Sequence, residues 1–289
     1  MEIFAGVESV KKAAEEECLE ARSIDKDIDE VNHDLTTEHG FLYLIAMIIM
    51  VARSGLTWIA PVCSSMGFPN TRNTKRTKET PDGDPLYQPN QIGKNLALVA
   101  AAVVQLCHLR GVHWVIENPR GSFIFVTSYL QPTLQYVRHW RVTTAMCAFS
   151  HGKKKKIMKP LTLVGSHTWI LNMKRLCSCS AGHLQTMPLN VKGKPCGSAA
   201  FKLSQAYSPT FGRHVVKYFL EATGATTGSR QVSEPLSVSW QMAQVSDDDN
   251  ERSNDFDNMK FGEGFEEENQ RMTLRKRDAW MMQQDSDSD

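Results

Sequence analysis

Two short stretches of this chain end in residues able to do chemistry. Leu56-Thr57-Trp58-Ile59-Ala60-Pro61-Val62-Cys63 is an apolar run that delivers a cysteine just past a proline. His113-Trp114-Val115-Ile116-Glu117-Asn118-Pro119 is a second such run, and it delivers a carboxyl group followed by an amide. In a parallel sheet, runs of this kind are buried central strands, and ligands gather at their carboxyl ends. A thiol and a carboxyl group in one crevice suit covalent attack on a heterocycle, with the carboxyl gripping a ring nitrogen. A thiolate is a strong nucleophile, and basic surroundings favour it. A carboxyl at the end of a buried strand is costly to ionise, so it can stay protonated and donate to that nitrogen. Each residue also has a plainer reading: Cys63 as a half-buried structural thiol, and Glu117 as a carboxylate accepting backbone N–H bonds.

The elements that must position these groups follow from the hydrophobic pattern. Glu2–Ala5 reads as a strand, Gly6 as a turn, and Ser9–Ala21 as a helix with Val10, Ala13, Ala14 and Cys18 on one face. Arg22–Asp25 reads as a second strand, and His33-Asp34 as the end of an abbreviated third. Phe41–Arg53 is a helix stopped at Gly55, and Leu56–Val62 a strand. Ser64–Pro89 is a long polar loop. Gln91–Leu109 is a helix with Gly111 after it, followed by a strand over Val112–Ile116. Leu134–Thr144 and Leu161–Val164 are further candidate strands, and Pro209–Ala222 is a closing helix with Phe211, Val215, Val216 and Phe219 on one face. Alternation of strand and helix implies an α/β domain with a mostly parallel sheet and helices on both faces. Phe41–Ala52 is apolar but only 12 residues long, short of the roughly 20 a bilayer span needs, so no membrane partner is expected.

Phe4-Ala5-Gly6-Val7-Glu8-Ser9, then a helix, then Ile24-Asp25, has the layout of an adenosine-cofactor site: a glycine turn for close approach and an acid for ribose hydroxyls. Glycine turn, acid, Pro-x-Cys and Glu-Asn-Pro occur in the order found in the DNA cytosine-C5 methyltransferases, and over about residues 2–165 the chain resembles that family, most of all its divergent phage and mobile-element members. The resemblance implies a Rossmann-like methyltransferase fold and S-adenosylmethionine as cofactor. It implies that Phe4, Gly6, Asp25, Asp34 and Pro61 bind the cofactor, Asp25 at the ribose and Asp34 toward the adenine. It implies that Cys63 attacks C6 of cytosine and that Glu117 contacts N3 and the amino group. Cys147, Gly152 and Lys159-Pro160 look similar to a further stretch in phage-type relatives, and Tyr207-Ser208-Pro209 extends the likeness to the closing helix. The chain departs from the pattern at Glu8 and Ser9, where glycines are usual, and at Val62, where a second proline is usual. It has no Gln-x-Arg-x-Arg motif. These departures leave open an alternative: a catalytically degenerate, nucleic-acid-binding protein on the same scaffold, with a mobile element as one source.

Charge adds a partner. The net charge of +1 is an average over unlike regions. From Arg230 onward there are 15 acids and 7 bases, without sustained apolar period, which reads as a disordered acidic tail over residues 226–289. Residues 39–229 hold 22 bases and five acids, the footprint of a polyanion binder. Lys153, Lys154, Lys155, Lys156 and Lys159 are candidate phosphate contacts, and DNA is the expected partner, although basic loops do not distinguish it from RNA. Seven cysteines without a secreted-scaffold spacing, and no signal peptide, point to an intracellular protein, nuclear or cytoplasmic. Cys177-x-Cys179, His183 and Cys196 have zinc-binding chemistry, but the C-x-C spacing is not a usual finger spacing, so this segment is read as a thiol-containing loop and no metal is expected. Residues 1–225 thus form one methyltransferase-like domain, with 166–205 a small variable, target-recognition-like insert.

Overall fold

The structure, a computed structural model, describes residues 1–67, 70–150, 156–180, 182–184 and 206–224. The tail reading over 226–289 and the latter part of the 166–205 insert lie outside the described residues, as do Lys153, Lys154 and Lys155.

Six strands form one sheet: β1 (Glu2–Ile3), β2 (Ser23–Ile24), β3 (Leu56–Ile59), β4 (His113–Pro119), β5 (Trp140–Ala145) and β7 (Pro160–Gly165), in the order β2-β1-β3-β4-β7-β5. The first four are parallel, and β7 runs antiparallel between β4 and β5. The expectation of a mixed α/β fold with a mostly parallel sheet is met. A short two-stranded sheet pairs β6 (Lys156–Ile157) with β8 (His183–Leu184).

Alternation along the strands divides the core into two layers. Ile3, Ile59, Trp114 and Ile116 face α2 (Glu38–Ile49), α4 (Gln88–Arg110) and α5 (Gln131–Tyr136). Trp58, Val115, Leu161 and Leu163 face α1 (Ser9–Glu16) and α6 (Pro209–Thr223). Burial at about 25 cal/mol per Å² makes these two apolar layers the main source of stability. Helices α1 and α6 touch closely. A β-carbon on Gly212 would lie 2.0 Å from the Ser9 carbonyl oxygen, so only glycine fits. By length and composition alone α4 could cross a bilayer, but Ala97, Ala100, Val103, Val104 and Cys107 are buried against the sheet.

Several boundaries differ from the sequence reading, for identifiable reasons. Helix α1 stops at Glu16 rather than Ala21, because Cys18 takes a left-handed conformation (φ 57°) and the Leu19 and Cys18 N–H groups bond back to Ala14 and Glu15. This is the glycine-type helix stop made by a cysteine, which sequence does not advertise. No strand forms at His33-Asp34; residues 26–37 are turns, pinned by Asp29 and Asp34 side chains. The candidate strand Leu134–Thr144 divides into α5 and β5, parted by Val137–His139. Pro132 in the first turn starts α5, and Val137 in extended backbone ends it. Trp169, Ile170 and Met173, in the 3-10 segment Thr168–Met173, are core residues, so the start of the expected insert packs with the rest of the sheet's core.

Candidate active site

The chain leaves β1 toward β2 on one side and later returns to β3 on the other, so a topological switch point lies between β1 and β3. Open α/β sheets bind ligands in the crevice outside the carboxyl ends of such strands. There the sequence places Phe4-Ala5-Gly6 after β1, Asp25 after β2, Ala60-Pro61-Val62-Cys63 after β3, and Glu117 near the end of β4. The register pairs Ile59 with Ile116, so Glu117 is the first residue of β4 past the end of β3. Gly6, Asp25, Cys63 and Glu117 therefore share one edge of the sheet, as expected.

Asn118 locks two of these segments together. Its side-chain amide donates to the Pro61 carbonyl at 2.8 Å and is fully buried. Beyond it, the Cys63 carbonyl accepts from Met66 and Gly67 N–H groups, turning the chain so that the thiol sits at the head of a tight loop.

Glu117 is almost completely buried. It faces the α1/α6 layer, where the Tyr207 hydroxyl donates to its Oε2. Its Oε1 is buried without a partner. Burial pushes its pKa up, against the opposing pull of the Lys159 ammonium and the Tyr207 hydrogen bond. Burial also pushes the Cys63 thiol up, the charge of Lys159 lowers it, and that of Glu117 raises it. A protonated Glu117 removes that repulsion and leaves Lys159 as the charge favouring the thiolate. The three groups thus form one electrostatic unit. Lys159, expected among the phosphate contacts, stands inside the site with its Nζ 5.7 Å from the Tyr207 ring centroid. Lys156 instead donates to the Ser150 carbonyl at 2.5 Å.

The β1 turn is strained. Phe4, Gly6 and Glu8 all have positive φ (60°, 52° and 57°), unfavourable for Phe and Glu. Space is open where a Gly6 β-carbon would stand. Gly6 N–H donates to Asp25 Oδ2 at 2.8 Å, and Asp27 N–H to Oδ1 at 2.9 Å. Each oxygen retains a lone pair for a hydroxyl. Glu8 does not present a free carboxylate, because Lys11 and Ser23 bond it and hold its pKa down. Ser9, the other departure from glycine, donates to the Tyr207 carbonyl at 2.9 Å and so helps seat that tyrosine. Asp34 is engaged elsewhere. Lys26 pairs with it at 2.6 Å and Thr36 donates twice, holding its pKa at about 2. Its oxygens serve a local turn rather than a crevice.

Sequence reasoning did not foresee two buried polar residues. Tyr207 was a motif fragment, and its role as the partner of Glu117 depends on a contact between distant segments. Arg76 is buried inside the loop read as polar and open; its Nη1 donates to the Pro81 carbonyl, and its Nε and Nη2 lack partners. The loop folds around it, and a short helix, α3 (Thr71–Thr74), forms within it. A cavity of about 390 Å³ opens at the opposite, amino end of β1 and β3, lined by Glu2, Lys11, Arg53 and Leu56 among others, with no thiol or imidazole. Compared with protein-family models, curated proteins and solved structures, the chain matches none.

Proposed function

We propose that this protein is an S-adenosylmethionine-dependent DNA methyltransferase acting on C5 of cytosine. One observation carries the reading: a buried carboxyl group with one oxygen unpartnered, sharing its electrostatic surroundings with a cysteine at the carboxyl edge of a parallel sheet. The site fits the cofactor at the open, positive-φ Gly6 turn and at Asp25, which keeps acceptor capacity. Phe4 and Pro61 border that crevice. The engaged carboxylate of Asp34 gives no support to its adenine-end role. The cofactor supplies an electrophilic methyl group.

The chain's own residues do the rest. Lys159 stabilises the Cys63 thiolate, which adds to C6 of the ring. Neutral Glu117 gives N3 a proton through its unpartnered oxygen, so the electron pair displaced from the C5–C6 bond makes C5 nucleophilic. Tyr207 holds Glu117 in place. After methylation a base takes the C5 proton, the C5–C6 double bond re-forms as Cys63 leaves, and N3 returns its proton to Glu117. A base inside duplex DNA must leave the stack to reach this thiol.

The degenerate-scaffold reading is favoured by one set of contacts: both acids expected to bind the cofactor, Asp25 and Asp34, already accept from the protein's own donors. An oligonucleotide carrying 5-fluorocytosine separates the two. Fluorine cannot leave as a cation, so with S-adenosylmethionine present the enzyme stalls as a covalent adduct. The expected result is an adduct on Cys63, absent in Cys63→Ser and greatly reduced in Glu117→Gln. Wild-type protein that binds DNA and cofactor yet traps nothing would establish the scaffold instead.

A further inference from the structure

Three thiols and an imidazole converge at a point the proposed chemistry does not use. Cys147, Cys177, Cys179 and His183 place one ligand atom each within 4.8 Å of all the others. They come from three separate elements. Cys147 lies in the 3-10 turn Met146–Phe149 after β5, and Cys177 and Cys179 in the segment after Thr168–Met173. His183 opens β8, which pairing with β6 brings back toward the same turn. The Ala145 N–H donates to the Arg175 carbonyl at 2.9 Å, which lays the Cys-x-Cys segment alongside the end of β5.

We propose that Cys147, Cys177, Cys179 and His183 bind a structural zinc ion. Three thiolates and one imidazole form a closed tetrahedral set for this metal. Zinc–sulfur bonds of ~2.3 Å put tetrahedral ligand atoms about 3.5–3.8 Å apart, so a group already within 4.8 Å needs only a small contraction. The Cys177 sulfur and His183 Nε2 are 3.2 Å apart, and the Cys179 N–H donates to the Cys177 sulfur at 3.5 Å, as thiolate loops around metals do. All three thiols are free of disulfides. Zinc with three thiolates carries a formal charge of −1, and the Lys156 ammonium is close enough to act on Cys177. The sequence alone grouped Cys177, Cys179 and His183 with Cys196; among the described residues the fourth ligand is Cys147, from another element.

The metal would hold the turn that connects to the candidate active site. Met146 N–H donates to the Lys159 carbonyl at 3.0 Å, and the Phe149 carbonyl accepts from Ser208 Oγ at 3.0 Å, beside Tyr207. One short turn thus links the ligand set to both neighbours of Glu117.

The test is metal content of the full chain purified with its thiols reduced. The expected result is one zinc per chain, and, after exchange for cobalt, the thiolate charge-transfer and strong visible bands of a tetrahedral cobalt site. Cys177→Ser and His183→Ala should each lose the metal, while Cys18→Ser, Cys63→Ser and Cys196→Ser keep it. Chelation should lower the melting temperature and zinc restore it. Folded, reduced wild-type protein with no zinc and no cobalt spectrum would overturn the proposal. So would a metal retained by Cys177→Ser but lost by Cys196→Ser.

Discussion

Tyr207 donates its phenolic hydrogen to one carboxyl oxygen of Glu117 and leaves the other oxygen buried without a partner. The arrangement orients the carboxyl group without satisfying it. An unpaired buried acceptor costs about 1–3 kcal/mol. In the proposed reaction this oxygen is the one that meets N3 of the ring.

Tyr207→Phe tests this positioning. The hydroxyl favours the ionised form of Glu117, so its removal should raise the Glu117 pKa further. Loss of this buried hydrogen bond, which leaves a second carboxyl oxygen unpartnered, should destabilise the domain by about 1–3 kcal/mol, read from thermal or denaturant unfolding. The adduct yield with 5-fluorocytosine should fall while cofactor affinity stays unchanged. Equal loss of both would point to a collapsed domain rather than a misplaced carboxyl.

Cys63 reactivity reports on the same unit with no substrate present. Lys159 lowers the thiol pKa and Glu117 raises it. The sign of each variant follows. Removing the ammonium in Lys159→Met should move the pH midpoint of Cys63 alkylation upward. Removing the ionisable carboxyl in Glu117→Gln should move it downward, because the ionised neighbour no longer opposes the thiolate. Exposed Cys18 serves as a reference in the same peptide digest. Midpoints that do not move in either variant would dissolve the electrostatic unit.

Much of this arrangement was legible in the chain, and the rest fails for physical reasons. The apolar runs before Cys63 and Glu117 declare buried strands, and strand–helix alternation declares a parallel sheet, so the shared edge follows. What the sequence could not show is contact between distant segments. Tyr207 meets Glu117 across the α1/α6 layer, and Lys159 arrives just ahead of an antiparallel strand that no periodicity distinguishes from a parallel one. Cys147 joins Cys177 only because β5 ends beside Arg175. Local stops were missed where an unusual residue takes a glycine conformation, as Cys18 does at the end of α1.

Nucleic-acid binding should separate from chemistry by its salt dependence. Residues 39–229 carry 22 bases against five acids, so affinity for duplex DNA should fall steeply as salt rises, through counterion release. Each phosphate contact adds roughly 0.9 to the log–log slope. Replacing Lys153, Lys154, Lys155 and Lys156 with alanine should flatten that slope by up to about 3.6 if all four meet phosphate. Lys159→Ala should leave it nearly unchanged, because the charge of that ammonium acts on Cys63 and Glu117. Deleting the chain from Arg230 should strengthen binding at low salt, since it removes 15 acids against 7 bases and leaves the remaining chain more positive. Fluorescence anisotropy across a salt series measures all of these. Affinity that does not change between low and high salt would remove the polyanion partner. A slope reduced as much by Lys159→Ala as by one of the four lysines would return Lys159 to the phosphate-binding surface.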